Sequence, residues 1–171
     1  EDWILQLESQ LDSLPDDLRS TAREQIVQCR HASKRIERGI HIVSKNENHA
    51  GESFRFTNMA MALQQKYGNW AKSNREIGKV EGVSPPEFFG RWRLFQIAFV
   101  LLNIESIVYP TESERKEHDI ADLLWFPTGG GKTEAYLGII AFTMSLRRLR
   151  GYNSENQEHS VKSYGVSVIM R

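Results

Sequence analysis

The eight residues FPTGGGKT, positions 126–133, constrain this chain more than any other stretch. Three adjacent glycines stand directly before Lys132 and Thr133. The apolar run Leu123, Leu124, Trp125 precedes them, and a long apolar segment follows. Glycine loses more conformational freedom on folding than any other residue, so a triplet is costly unless the backbone must be approached closely. A plain strand-to-helix turn of this length needs no such triplet. A phosphate cradle does. Its N–H groups must turn inward past where side chains would stand, and Gly129, Gly130 and Gly131 allow that. A helix must begin there so that its N-terminal partial charge faces the anion. A lysine must reach the outer phosphates and a hydroxyl must ligate Mg²⁺, roles for Lys132 and Thr133. Phe126 stands where the strict form of the pattern has its first glycine.

The flanking periodicity gives the expected fold class. Residues 123–126 read as a short apolar strand, and 133–150 as a helix that is apolar nearly all round, with Gly151 placed to end it. Residues 166–170 read as a second strand. Strand, glycine loop, helix and strand together predict a βαβ unit with parallel strands and a right-handed crossover.

Upstream the pattern is helical. Ile4, Leu7, Leu11 and Leu14 recur at helical spacing until Pro15, Asp16 and Asp17 break and restart the chain. Ala22, Ile26, Cys29, Ser33, Ile36, Ile40 and Val43 then form a narrow heptad-like seam. Two packed helices are the simplest reading, and a coiled coil with a partner is the alternative. Residues 44–53 are polar and read as a loop. Phe56, Met59, Ala60, Leu63 and Tyr67 mark the expected core face of a third helix. Ser84, Pro85 and Pro86 form a helix start, and the helix predicted from Phe88 to Ile107 is bulky on most faces. Residues 111–119 are a charged loop. The expected organisation is a helical accessory region (1–53), a helical region leading into a motor (54–120) and the start of a nucleotide-binding domain (121–171).

Composition excludes little. Lys plus Arg and Asp plus Glu both number 22, so net charge gives no overall pull toward nucleic acid or an anionic membrane. The single Cys29 rules out an internal disulfide and suits a reducing compartment, with the cytoplasm expected. No apolar run reaches membrane-spanning length, since the longest, 94–108, is interrupted by Gln96, Asn103 and Glu105. The five histidines are scattered without metal-ligand spacing. Arg147, Arg148 and Arg150 close the helix after the loop, where they suit either a helix C-terminus or phosphate contacts with DNA. Lys34, Arg35 and Arg38 form a second basic cluster, interleaved with acidic residues. The absence of an initial Met and the apolar run at 165–170 suggest a piece of a longer protein.

The segment Pro127-Thr128-Gly129-Gly130-Gly131-Lys132-Thr133 resembles motif I of superfamily 2 helicases, PTGxGKT, in which the residue before the proline is often apolar. Arg91-Trp92-Arg93-Leu94-Phe95-Gln96 is similar to their Q-motif, where a glutamine reads the adenine edge with one donor and one acceptor. From Phe54 to Arg171 the wording resembles the helicase-like subunits of bacterial DISARM anti-phage systems. The resemblance implies an incomplete RecA-like P-loop domain. It implies ATP and Mg²⁺ as cofactors, with Thr128, Gly129, Gly130, Gly131, Lys132, Thr133 and Gln96 around the nucleotide. Lys132 is then the candidate catalytic residue and Thr133 the metal-facing one. DNA and a DrmB-like subunit are the implied partners, and no membrane is. The acidic pair of motif II and an arginine finger are missing from these residues, so they are expected to hydrolyse ATP negligibly by themselves. Two alternatives stay open: a P-loop NTPase that is not a helicase, and a partner-docking helical module with a vestigial loop.

Overall fold

A computed structural model describes residues 2–75, 90–110, 122 and 131–152. Every regular element among them is helical. α1 spans Asp2–Ser9, α2 Asp16–Ser44, α3 Ala50–Arg75, α4 Leu94–Val108 and α5 Lys132–Tyr152. No strand occurs among the described residues, which corrects the expected α/β class with its RecA-like βαβ unit. The helix after the glycine loop was expected to lie on a sheet. It is apolar nearly all round because other helices cover it: α5 packs against both α3 and α4. The two segments expected as strands, 123–126 and 166–170, lie outside the described residues, as does the expected helix start at 84–86.

Local chemistry sets the helix boundaries. Pro15, with φ −53° and ψ 146°, restarts the chain as the N-cap of α2, and Asp16 and Asp17 follow in its first turn, where helix polarity favours acids. The expected loop at 44–53 is shorter than its polarity suggested. Asn46 and Asn48 take left-handed backbone angles of φ 52° and 48°, which asparagine tolerates better than most residues. The Asn46 side-chain oxygen accepts the Glu52 N–H at 3.1 Å, and α3 is already under way at Ala50. At the other end of the sequence, α4 begins later than expected. Gly90 to Arg93 are not helical, because Gln96 reaches back to accept the Arg93 N–H at 2.9 Å and closes the helix start at Leu94. Gly151 does not end α5, which runs on to Tyr152.

The core lies where α2, α3, α4 and α5 converge. Ile42, Ala50, Ile104, Val108, Phe142 and Leu146 are buried together, with Leu101, Phe54 and Ile107 packed around them. α4 contributes a straight row at four-residue spacing, Gln96, Val100, Ile104 and Val108. The buried row of α3 is made largely of small residues: Ala50, Ser53, Thr57 and Met61. Its apolar row faces outward instead, with Phe56, Met59, Leu63 and Tyr67 all at least half exposed. The expected seam of α2 holds at Ile26, which is buried, and is displaced only toward its C-terminal end. Ile40 is 50% exposed, while Gly39 and Ile42 are buried.

Glycine explains the α2 displacement. A Cβ at Gly39 would lie 2.1 Å from the Leu101 carbonyl oxygen, so the backbones of α2 and α4 touch at a point where no side chain fits. Gly138 does the same for α5. Its missing Cβ leaves room for the Trp92 ring, which would otherwise stand 2.8 Å away. Trp92 is held there by a 2.7 Å hydrogen bond from its Nε1 to Asn58 on α3.

Candidate functional site

The glycine loop enters the described structure at Gly131. Its φ of +89° belongs to the region that disfavours any residue with a side chain. A Cβ there would lie 2.7 Å from Gln96 Nε2 and 3.2 Å from Glu134 Oε2, so the ends of these two side chains would have to shift. The last glycine of the triplet is therefore required by its backbone conformation. α5 begins at the next residue, so Lys132 and Thr133 occupy its first turn. Thr133 is exposed and Lys132 half-buried. Thr128, Gly129 and Gly130 lie outside the described residues.

Gln96 is the residue that joins this turn to the rest of the fold. Its Oε1 accepts the Arg93 N–H, and its Nε2 donates to the Gly131 carbonyl at 2.8 Å. The orientation of the amide follows from its partners, since one is a donor and the other an acceptor. The side chain is only 3% exposed. The structure thus brings Gln96, Gly131, Lys132 and Thr133 together, although 35 residues separate Gln96 from Gly131.

The helix directions shape the electrostatics here. Gln96 meets Gly131, Phe99 meets Tyr136 edge-to-face at 5.8 Å, and the Val108 carbonyl accepts from Arg150 at 2.6 Å. The pairs run in the same order along both helices, so α4 and α5 are parallel. Their N-termini lie side by side, each with a partial positive charge of roughly half a unit. Arg93 and Lys132 stand at these two starts. An opposing charge is Glu134, in the first turn of α5, whose Oε2 is buried without a hydrogen-bond partner among the described residues.

Several functional contacts had no sequence signal. Arg35 makes a two-pronged contact with Asp122, both bonds at 2.7 Å, and also donates to the Leu102 carbonyl. The pair is largely buried, at 11% and 18% exposure, and it fastens α2 to the chain four residues before Phe126. Arg38 pairs with Glu105 at 3.1 Å and lies 3.6 Å from Glu47. Two members of the expected basic cluster therefore act inside the fold, whereas Lys34 lines a cleft with Ile4, Leu5, Arg30 and Ser33. Arg150 caps the end of α4. Tyr109 donates to Glu47 at 2.6 Å; this bond, reinforced by burial and by the Glu47 charge, raises its pKa above the usual tyrosine value. Partners 62 to 87 residues apart leave no local pattern by which they could be found.

Together the described residues define a helical assembly in which Gly131, Lys132 and Thr133 stand at the paired starts of two parallel helices. No family model matches the chain. It is 38% identical over 168 residues to the DISARM protein DrmA of Bacillus paralicheniformis, an alignment that takes in 96% of this chain. The similarity takes in nearly all of this chain, which spans 14% of the length of that relative. Among the described residues, no helix is long and apolar enough to cross a membrane.

Proposed function

We propose that this chain carries the nucleotide-binding loop of a DrmA-type, ATP-dependent motor that acts on DNA in bacterial anti-phage defence. The observation that carries the reading is Gly131: a left-handed glycine, packed against the Gln96 amide, at the junction of a Gly-Gly-Gly-Lys-Thr sequence and a helix start. Such a junction favours anions through its backbone N–H groups and helix polarity. The similarity to DrmA supports the wider role.

The residues present fit a triphosphate. Gly131 adds no side chain of its own beside the Gln96 amide and the Glu134 carboxylate, and Thr133 offers an exposed hydroxyl in the first turn. In this reading Thr128, Gly129 and Gly130 supply backbone contacts to the phosphates. Lys132 neutralises the β and γ phosphates, and Thr133 holds Mg²⁺. The metal, when bound, supplies charge neutralisation across the same oxygens. Glu134 opposes an anion in this position, so Lys132 and the two helix starts must outweigh it. DNA and a DrmB-like subunit are the proposed partners.

The test is ATP affinity, with Mg²⁺ present, for the intact protein and its Lys132→Ala variant. The expected result is loss of measurable binding in the variant. Unchanged affinity refutes the assignment. One observation favours a second reading, a partner-docking helical module: the outward apolar row of α3. Under that reading nucleotide affinity is absent from the unaltered protein as well.

A further inference from the structure

We infer that Gln96 positions the glycine loop and does not select the base of the nucleotide; the inference rests on the nucleotide-binding reading above. A two-pronged contact to a base edge needs the oxygen and the nitrogen of the amide together. Here each already bonds a backbone group, Oε1 the Arg93 N–H and Nε2 the Gly131 carbonyl, and burial keeps the second lone pair and the second N–H away from a base. The side chain is buried, and turning it toward a base breaks both bonds at once.

The bond to Gly131 has a direct effect on the turn. In a trans peptide the carbonyl of one residue and the N–H of the next point in opposite directions. Drawing the Gly131 carbonyl toward Gln96 therefore points the Lys132 N–H to the other side of that peptide plane. Lys132 is the first residue of α5, so this N–H is one that the helix itself leaves unbonded. Gln96 thus sets the direction of the Lys132 amide, the one that the nucleotide-binding reading turns toward the phosphates. Because it also closes the start of α4, it ties the loop to a helix that packs along α2. What it contributes is shared by every nucleoside triphosphate, whatever the base.

Two variants of the intact protein test this. Gln96→Glu keeps an acceptor for the Arg93 N–H but presents a carboxylate oxygen to the Gly131 carbonyl. Gln96→Met keeps the length of the side chain and removes both bonds. Hydrogen exchange over residues 129–134 is measured without nucleotide, and affinities for ATP, GTP and CTP with Mg²⁺. Faster exchange over the loop is expected in both variants. The three affinities are expected to fall by a common factor, on the order of tenfold for one buried hydrogen bond lost. A fall for ATP alone, with GTP and CTP unchanged, overturns the inference in favour of base reading. Unchanged exchange over the loop overturns it whether or not nucleotide binds. Lys132→Ala, measured alongside, separates failure of the nucleotide-binding reading from failure of this one.

Discussion

Replacing Gly39 by alanine adds one methyl group at the tightest point of the α2–α4 interface. That methyl would lie 2.1 Å from the Leu101 carbonyl oxygen, 2.9 Å from its carbonyl carbon and 3.4 Å from its Cα. Carbon-to-oxygen contacts between helices settle at about 3.3 Å, so the helices must part by roughly 1 Å. Both partners are backbone, and no rotamer change relieves the clash. Parting the helices loosens Ile42 against Ile104 and Val108, which lie within the same few turns. A gap of that size forfeits roughly a quarter to a half of each dispersion contact across it. Overpacking of this kind costs about 1–3 kcal/mol, and the loosened core adds to it. The gain in helix propensity from glycine to alanine, about 1 kcal/mol, works the other way. The net expectation is a loss of about 2 kcal/mol, or a Tm lower by about 4–8 °C in a unit of this size. Thermal and denaturant unfolding of the variant measure it. Gly68→Ala on α3 is the control. There the nearest neighbour of an added Cβ is the Gln64 side chain at 4.0 Å, so the same chemical change is expected to stabilise by up to about 1 kcal/mol. If Gly39→Ala stabilises as Gly68→Ala does, the close approach of α2 and α4 is refuted.

Two further predictions concern the buried polar contacts. Arg35→Met leaves the Asp122 carboxylate largely buried without its guanidinium and is expected to destabilise by about 3 kcal/mol. Asp122→Asn combined with it should cost less than the sum of the two single changes, and additive losses in a double-mutant cycle would show the pair to be uncoupled. The raised pKa of Tyr109 predicts a contribution to stability that is fully present below the ordinary tyrosine pKa near 10 and is lost as pH rises through the higher folded value. Tyr109→Phe should flatten the alkaline fall in stability, and an alkaline unfolding curve identical to that of the unaltered protein would contradict this.

The helix start behind the glycine loop was legible in the sequence, because its determinants are local. The glycine triplet, the lysine, the threonine and the apolar segment beyond them predict a helix start, and α5 starts at Lys132. The break at Pro15 was legible for the same reason. The face that α3 buries was not. Phe56, Met59, Leu63 and Tyr67 have the spacing and bulk of a core row, yet they face outward. The buried row holds Ser53 and Thr57, where small side chains let another helix come close. The Thr57 hydroxyl bonds to the Ser53 carbonyl at 2.8 Å, so its burial leaves that group satisfied. The fold class misled for a related reason. An all-round apolar helix beside a glycine loop suits a sheet or a helical assembly equally, and only its neighbours decide which.

The sequence by itself determined where the chain can turn and where its helices can begin. These properties belong to single residues and their immediate neighbours: a glycine that tolerates φ of +89°, a proline that interrupts a helix, a lysine next to a helix start. The tertiary structure alone decided which faces are covered, which charges are spent inside the fold, and what Gln96 does with its amide. Those outcomes depend on groups distant in the chain, such as Arg35 and Asp122 or Gln96 and Gly131. Burial and hydrogen bonding depend on which surfaces meet, and helical periodicity states only that a helix has an apolar side.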